Sequence, residues 1–122
     1  MAAYDTLQPA AVWKFFADIN RIPRASGREA AVMAMLEQRA QAKGFSTKRD
    51  KVGNLLIGVP ATKGRESAPV VTIQGHVDMV CEKNASSKHD FAKDPIVPRE
   101  KDGWVVAIGT TLGADNAIGV SM

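Results

Sequence analysis

His76 and Asp78 are the first residues of this chain whose types and spacing allow chemistry. They stand two positions apart, just downstream of the apolar residues 70–73. A strand that continues through them would put both side chains on one face, with Cα atoms roughly 6.6 Å apart. A neutral imidazole can bind a metal through one ring nitrogen while the other donates to a carboxylate. The pair is compatible with a metal site. It is also compatible with a core histidine that is hydrogen-bonded to the neighbouring aspartate.

Asp115 is a second candidate, in a segment where three glycines surround a single acid. Such a segment implies a backbone that turns tightly or lets another group approach. It does not match a phosphate-binding loop, because it has neither a Gly-Lys-Ser/Thr ending nor a Gly-x-Gly-x-x-Gly pattern. Asp115 also stands at the start of a predicted helix, where a carboxylate is favourable as a cap. Metal binding and helix capping are therefore both open to it.

The elements that must position these residues are predicted from hydrophobic periodicity. A first helix begins at Pro9 and ends at Asn20, and a second runs from Ser26 to Lys43, with Glu29 completing a capping box. Strands are predicted at residues 45–50, 55–59, 70–73 and 104–108. This order predicts an α/β fold, a mixed sheet flanked by helices. Both candidate sites then fall at the carboxyl ends of strands, where ligands of open α/β sheets gather.

The composition excludes several classes of partner. The chain has 122 residues, enough for one domain, and its 16 Lys and Arg against 13 Asp and Glu give a net charge of +3. The basic clusters at 21–28 and 48–51 contain no stacking aromatics, so we interpret them as solvated faces and expect no nucleic-acid binding. One cysteine, no signal-peptide pattern and no apolar run of about 18 residues predict a cytoplasmic protein that does not bind membranes.

Residues 75–78 (Gly-His-Val-Asp) and 111–119 (Thr-Leu-Gly-Ala-Asp-Asn-Ala-Ile-Gly) together resemble the metal-binding motifs of zinc-dependent peptidases of the aminoacylase and carboxypeptidase-like clan. The second motif is similar to the aminopeptidase and dipeptidase branch of that clan. From Leu7 to Met122 the chain resembles the aminoacyl-histidine dipeptidase family, also called Xaa-His dipeptidase, peptidase D or bacterial carnosinase. The matching stretches are residues 12–16, 22–23, 43–45, 50–55, 76–80, 83–84, 89–96 and 110–116.

The resemblance implies a role for each candidate residue. His76 would be a ligand of one zinc ion, Asp78 the catalytic acid that orients its imidazole, and Asp115 the carboxylate that bridges two zinc ions. The cofactor would be two Zn²⁺ per site, with Co²⁺ or Mn²⁺ as alternatives. The substrate would be a small peptide of the Xaa-His type, such as carnosine, hydrolysed by a metal-activated water. The resemblance also implies a cis peptide bond after Asp115 and a homodimer for the full-length protein.

Residues 1–122 are expected to be the N-terminal portion of a metallopeptidase catalytic domain, truncated at its C-terminal end, because the third predicted helix stops within a few residues. The adjacent glutamate pair that supplies the family's general base and a further ligand does not occur in the chain. No substrate-binding residue is identified, and His89 and Cys81 are expected to be structural. We therefore expect the chain alone to be inactive.

Two other interpretations remain open at this stage. The chain could be a non-catalytic remnant or an interaction module, or it could come from an aminopeptidase or tripeptidase of the same clan.

Overall fold

A computed structural model of the chain describes residues 6–122. Its elements, in chain order, are α1 (Ala10–Asn20), α2 (Ala30–Ala42), β1 (Ser46–Arg49), β2 (Leu55–Gly58), β3 (Pro98–Lys101), β4 (Trp104–Ala107) and α3 (Ala114–Ser121). The described residues form two compact units, one containing residues 6–32 and 75–122 and the other residues 33–74. All the candidate site residues lie in the first unit.

The first unit is built on α1, whose apolar residues recur at helical spacing. Phe16 and Ile19 are each only 1% exposed, and α1 packs against α3, whose Ala117 is fully buried. At the last residue of α1, the carbonyl of Asn20 accepts a hydrogen bond of 2.9 Å from the backbone N–H of Ile96, which is also buried. In the same unit β3 and β4 pair antiparallel. The core of this unit therefore joins segments that are far apart in sequence.

The second unit contains most of α2 and the β1–β2 hairpin. The strands pair antiparallel, with Arg49 opposite Leu55. Asp50 closes the turn, because its carboxylate accepts hydrogen bonds from the backbone N–H and the side-chain amide of Asn54, at 2.9 and 2.7 Å. The hydrogen bond from the side-chain amide of Asn54 is the main reason that the pKa of Asp50 is lowered. Arg49 also forms a 2.8 Å ion pair with Glu37 of α2.

The predicted combination of helices and sheet is confirmed. The strands expected at residues 45–50, 55–59 and 104–108 are observed as β1, β2 and β4, and all the described strands belong to two antiparallel pairs. Across residues 6–122, no helix is both long enough and apolar enough to cross a bilayer.

The strand predicted at residues 70–73 is wrong. This segment has no regular secondary structure, and the side chains of Val70 and Ile73 are 94% and 92% exposed. A strand needs a neighbour that accepts and donates its backbone hydrogen bonds, and no described segment pairs with residues 70–73. High β-propensity alone does not supply that neighbour.

The capping box predicted for α2 is also wrong. The helix begins at Ala30, and the carboxylate of Glu29 accepts a hydrogen bond from the N–H of Gly27 rather than from that of Ser26. The hydroxyl of Ser26 contacts Asp78 instead, at 2.5 Å. A partner that is distant in sequence has therefore displaced the local hydrogen bond that the pattern predicted.

Candidate functional site

His76, Asp78 and Asp115 lie together in the first unit. Nδ1 of His76 is 2.9 Å from Oδ1 of Asp78, and Nε2 is 3.1 Å from Oδ1 of Asp115. Each ring nitrogen therefore faces a carboxylate oxygen. The side chain of Asp78 is 32% exposed and that of Asp115 is 92% exposed, so Asp115 presents its carboxylate to solvent.

The two carboxylates change the protonation of the imidazole. The hydrogen bond with Asp78, and after it the one with Asp115, raises the pKa of His76, because both carboxylates stabilise the imidazolium form. The pKa of Asp78 is lowered, first by the hydroxyl of Ser26 and then by the hydrogen bond from His76. A metal ion that binds Nε2 has to displace a proton from that nitrogen, so metal binding competes with protonation of the ring.

Arg24 joins the two segments that carry these side chains. Its Nη1 donates to the carbonyl oxygens of Val77 and Asp78, at 3.1 and 3.4 Å, and its Nη2 donates to Oδ1 of Asn20 and to the carbonyl of Gly113, both at 3.0 Å. The residue is 1% exposed, and burial lowers the pKa of its guanidinium. The interpretation of Arg24 as part of a solvated basic cluster is therefore wrong.

Asp115 reaches His76 because the chain turns sharply just before α3. Gly113 has a left-handed φ of 70°, and Asp115 has non-helical angles of φ −86° and ψ 106°. The peptide bond between Asp115 and Asn116 is cis, as the family resemblance implied. The carboxylate of Asp115 faces Nε2 of His76, and the N-cap of α3, at Gly113, has no side-chain hydrogen bond. The capping role that the sequence left open for Asp115 is therefore wrong.

Gly113→Ala is expected to destabilise the first unit more than Gly103→Ala does. Both glycines have positive φ, which costs a residue with a side chain about 1–2 kcal/mol. A Cβ at Gly113 would also lie 2.5 Å from Nη2 of Arg24 and 3.0 Å from Cβ of Met79, whereas a Cβ at Gly103 meets nothing within 4 Å. We expect overpacking to add about 1–3 kcal/mol at Gly113, measured by urea unfolding. Equal losses in the two variants would contradict this assignment.

The donor set at His76 and Asp115 suits zinc in part. Imidazole nitrogen and carboxylate oxygen both bind zinc at about 2.0–2.2 Å, so two ligands of a tetrahedral ion stand about 3.3 Å apart. The observed Nε2–Oδ1 distance of 3.1 Å is close to that separation. Within the described range, however, no group of three or more His, Cys, Asp and Glu side chains is placed to hold a metal ion. His76 and Asp115 therefore offer two donors, and a catalytic zinc takes three from protein.

The other polar candidates lie outside this group. His89 is half-buried, its ring contacts Phe91 with centroids 4.6 Å apart, and its buried Nε2 has no hydrogen-bond partner. Cys81 donates to the carbonyl of Met79, and burial raises the pKa of its thiol, which disfavours the thiolate that binds metals. A cavity of about 430 Å³ lies near His89 and contains none of His76, Asp78 and Asp115 in its lining. Neither His89 nor Cys81 joins the candidate site.

Sequence reasoning missed Arg24 and Ser26. Arg24 carried no signal of burial, because it stands among other basic residues in an irregular segment. The position of Ser26 in the sequence is consistent with a helix cap as well as with a contact to a distant residue. In the structure each of them contacts the residues that flank or orient His76.

Comparison with known proteins finds dipeptidases that are similar to the chain over nearly its whole length. The chain is 46% identical over 121 residues to the cytosol non-specific dipeptidase of Escherichia coli strain K12, an alignment that covers 99% of the chain. It also superposes, with a TM-score of 0.92 and 46% identity over 96% of its length, on the crystal structure of aminoacylhistidine dipeptidase from Vibrio alginolyticus. The chain is a homologue of these dipeptidases.

The similarity concerns a limited part of each relative. The chain spans 25% of the length of the Escherichia coli protein and 24% of the Vibrio chain. No family model matches the sequence. The resemblance to aminoacyl-histidine dipeptidases that the motifs indicated is confirmed, while the roles of His76, Asp78 and Asp115 stay predictions.

Proposed function

We propose that this chain is part of the catalytic domain of a zinc-dependent dipeptidase. In this proposal His76 and Asp115 are metal ligands, and Asp78 orients the imidazole of His76. The observation that carries the proposal is the convergence of the three side chains, in which each ring nitrogen of His76 faces a different carboxylate. The similarity to two dipeptidases over nearly the whole chain supports the same function.

Each residue has a distinct task in this proposal. Asp78 accepts the hydrogen on Nδ1 of His76, so Nε2, which faces Asp115, is the ring nitrogen that would bind a metal ion once its own hydrogen is lost. Asp115 has two carboxylate oxygens and is largely exposed, so it can offer one oxygen to each of two ions. A pair of zinc ions, when bound, activates a water for attack on a peptide carbonyl.

The substrate and setting belong to the proposal as well. We propose hydrolysis of dipeptides of the Xaa-His type in the cytoplasm, by a protein that binds neither nucleic acid nor membranes and dimerises when full-length. One relative is named a non-specific dipeptidase and the other an aminoacylhistidine dipeptidase, so dipeptides are the substrate class that both names share. General-base catalysis requires a further carboxylate, because Asp78 and Asp115 are already engaged with His76.

Cobalt binding tests the proposal on the chain itself. We expect the chain to bind Co²⁺ and the binding to be lost in His76→Ala, because Nε2 is the one imidazole donor of the site. The measurement is titration calorimetry together with the visible spectrum of the bound ion. His89→Ala is the matched control, since His89 is the only other histidine and lies outside the site. The same sample is expected to hydrolyse no carnosine, because two donors do not complete a catalytic site.

One result would count against this proposal, and another against the expected inactivity of the chain alone. Cobalt binding that persists in His76→Ala and disappears in His89→Ala would place the metal elsewhere. Chelator-sensitive hydrolysis of carnosine by the wild-type chain would show that the described residues suffice for catalysis.

A further inference from the structure

Ser26 contacts the candidate site without being one of the residues assigned to it. Its Oγ lies 2.5 Å from Oδ2 of Asp78, while Oδ1 of the same carboxylate lies 2.9 Å from Nδ1 of His76. An ionised carboxylate only accepts hydrogen bonds, so the hydroxyl of Ser26 is the donor. Both oxygens of Asp78 are therefore engaged, one on each side of the carboxyl carbon.

Engagement of both oxygens fixes the plane of the carboxylate. An O–H···O⁻ distance of 2.5 Å is at the short end of the range for charge-assisted bonds, which are stronger than neutral ones. With Oδ2 held by Ser26, rotation of the Asp78 carboxylate would break that bond. Oδ1 is thereby kept in line with Nδ1 of His76.

The backbone around Ser26 is itself held against the segment that carries Asp78. Met79 donates its backbone N–H to the carbonyl of Arg24 at 3.0 Å, and Ala25 and Met79 form an isolated parallel bridge. The guanidinium of Arg24 adds the bonds to the carbonyls of Val77 and Asp78. Ser26 is therefore attached to a fixed frame, and its hydroxyl can orient the carboxylate without a large loss of entropy.

We propose that Ser26 is a positioning residue for His76. It holds Oδ1 of Asp78 in line with Nδ1, which favours the ring hydrogen on Nδ1 over Nε2, where Asp115 is the competing acceptor, and so favours Nε2 as the nitrogen that binds a metal ion. The second half of this inference rests on the proposed function, whereas the choice of tautomer concerns residues of this chain alone. Ser26 touches neither a metal nor a substrate and acts only through Asp78.

The test compares Ser26→Ala, Ser26→Thr and the control Ser86→Ala, which removes the hydroxyl of an exposed serine. In metal-free protein labelled with ¹⁵N-histidine, at a pH where the ring is neutral, the ring ¹⁵N shifts report the tautomer of His76. The chain has two histidines, so a His89→Ala spectrum assigns the signals. We expect the ratio of the Nδ1–H to the Nε2–H tautomer to fall about fivefold in Ser26→Ala, the effect of one ordinary hydrogen bond.

Metal affinity is the second readout. Loss of a residue that hydrogen-bonds a metal ligand costs about 10–100-fold in affinity, and Ser26 is one contact further out. We therefore expect Co²⁺ affinity to fall about five- to tenfold in Ser26→Ala and to be restored in Ser26→Thr, which keeps the hydroxyl. Circular dichroism of each variant checks that the fold is retained.

The outcomes separate the two proposals. A tautomer ratio and cobalt affinity in Ser26→Ala equal to those of Ser86→Ala would overturn the role of Ser26 and leave the proposed function intact. Equal losses in the Ala and Thr variants would assign the effect to packing and would also overturn it. A wild-type chain that binds no cobalt would reject the proposed function, while the tautomer ratio would still decide the role of Ser26.

Discussion

We expect dipeptide hydrolysis that depends on His76 and Asp115 from a chimera in which this chain replaces the 121 residues that it matches in the Escherichia coli relative. His76→Ala or Asp115→Ala in this chimera should reduce kcat/KM at least about a thousandfold. The reason is that metal ions contribute several kcal/mol of transition-state stabilisation, and about 4 kcal/mol corresponds to a factor of a thousand. The measurement is the rate of hydrolysis of an Xaa-His dipeptide with added Zn²⁺.

Glu82→Ala is the matched control for loss of an acidic side chain. Glu82 is exposed, lies in the first unit, and is not among the residues around His76. We expect this variant to stay within about twofold of the unmodified chimera, since surface substitutions away from a site have small effects. An active chimera that tolerates Asp115→Ala as well as it tolerates Glu82→Ala would refute the metal-bridging role of Asp115.

Arg24→Ala is expected to cost the first unit at least about 3 kcal/mol of its free energy of unfolding. The substitution leaves a buried acceptor at Asn20 and half-buried acceptors at Val77 and Gly113 without their donor, and an unsatisfied buried group costs about 1–3 kcal/mol. Domains are stable by only about 5–15 kcal/mol, so the variant should unfold at much lower urea concentration. The fluorescence of Trp13 and Trp104, both in the first unit, follows the transition.

Arg21→Ala separates this effect from the loss of a positive charge. Arg21 is 73% exposed in its side chain and forms an i,i+3 ion pair with Asp18, an arrangement worth well under about 1 kcal/mol. If Arg24→Ala does not fold at all, Arg24→Lys gives the comparison, because an ammonium group cannot reproduce the planar fork of the guanidinium. A change in Arg24→Lys no larger than that in Arg21→Ala would disprove the importance of the buried guanidinium.

The sequence predicted those parts of the fold that depend on local pattern. The apolar spacing of Phe16 and Ile19 predicted α1, and the local pattern of residues 45–50 and 55–59 predicted β1 and β2, because each of these elements is encoded within about a dozen residues. The irregular backbone of residues 70–73 was not predictable in this way. A strand there would need a hydrogen-bonding neighbour, and periodicity says nothing about whether such a neighbour is present.

The sequence predicted the three residues of the candidate site but not the residues that hold them in place. The two-residue spacing of His76 and Asp78, together with the resemblance of the motif around Asp115, indicated that the three side chains would lie together. The burial of Arg24 and the contact of Ser26 were not predictable, because both depend on partners more than fifty positions away. For Ser26 a local cap and a distant carboxylate were both consistent with the sequence, and only the tertiary structure decides between them.

The hydrogen-bond acceptors of Arg24 lie at very different distances along the sequence, and this affects folding during synthesis. Its guanidinium binds the carbonyl of Gly113, which is 89 residues further along the chain. At about 5–20 residues per second, a ribosome adds Gly113 roughly 4 to 18 s after Arg24. Over that interval the guanidinium lacks one of its acceptors, and the segment carrying Asp115 has not yet been made. The nascent chain can therefore form α1 early, but His76 and Asp115 meet only when the last tenth of these residues has emerged.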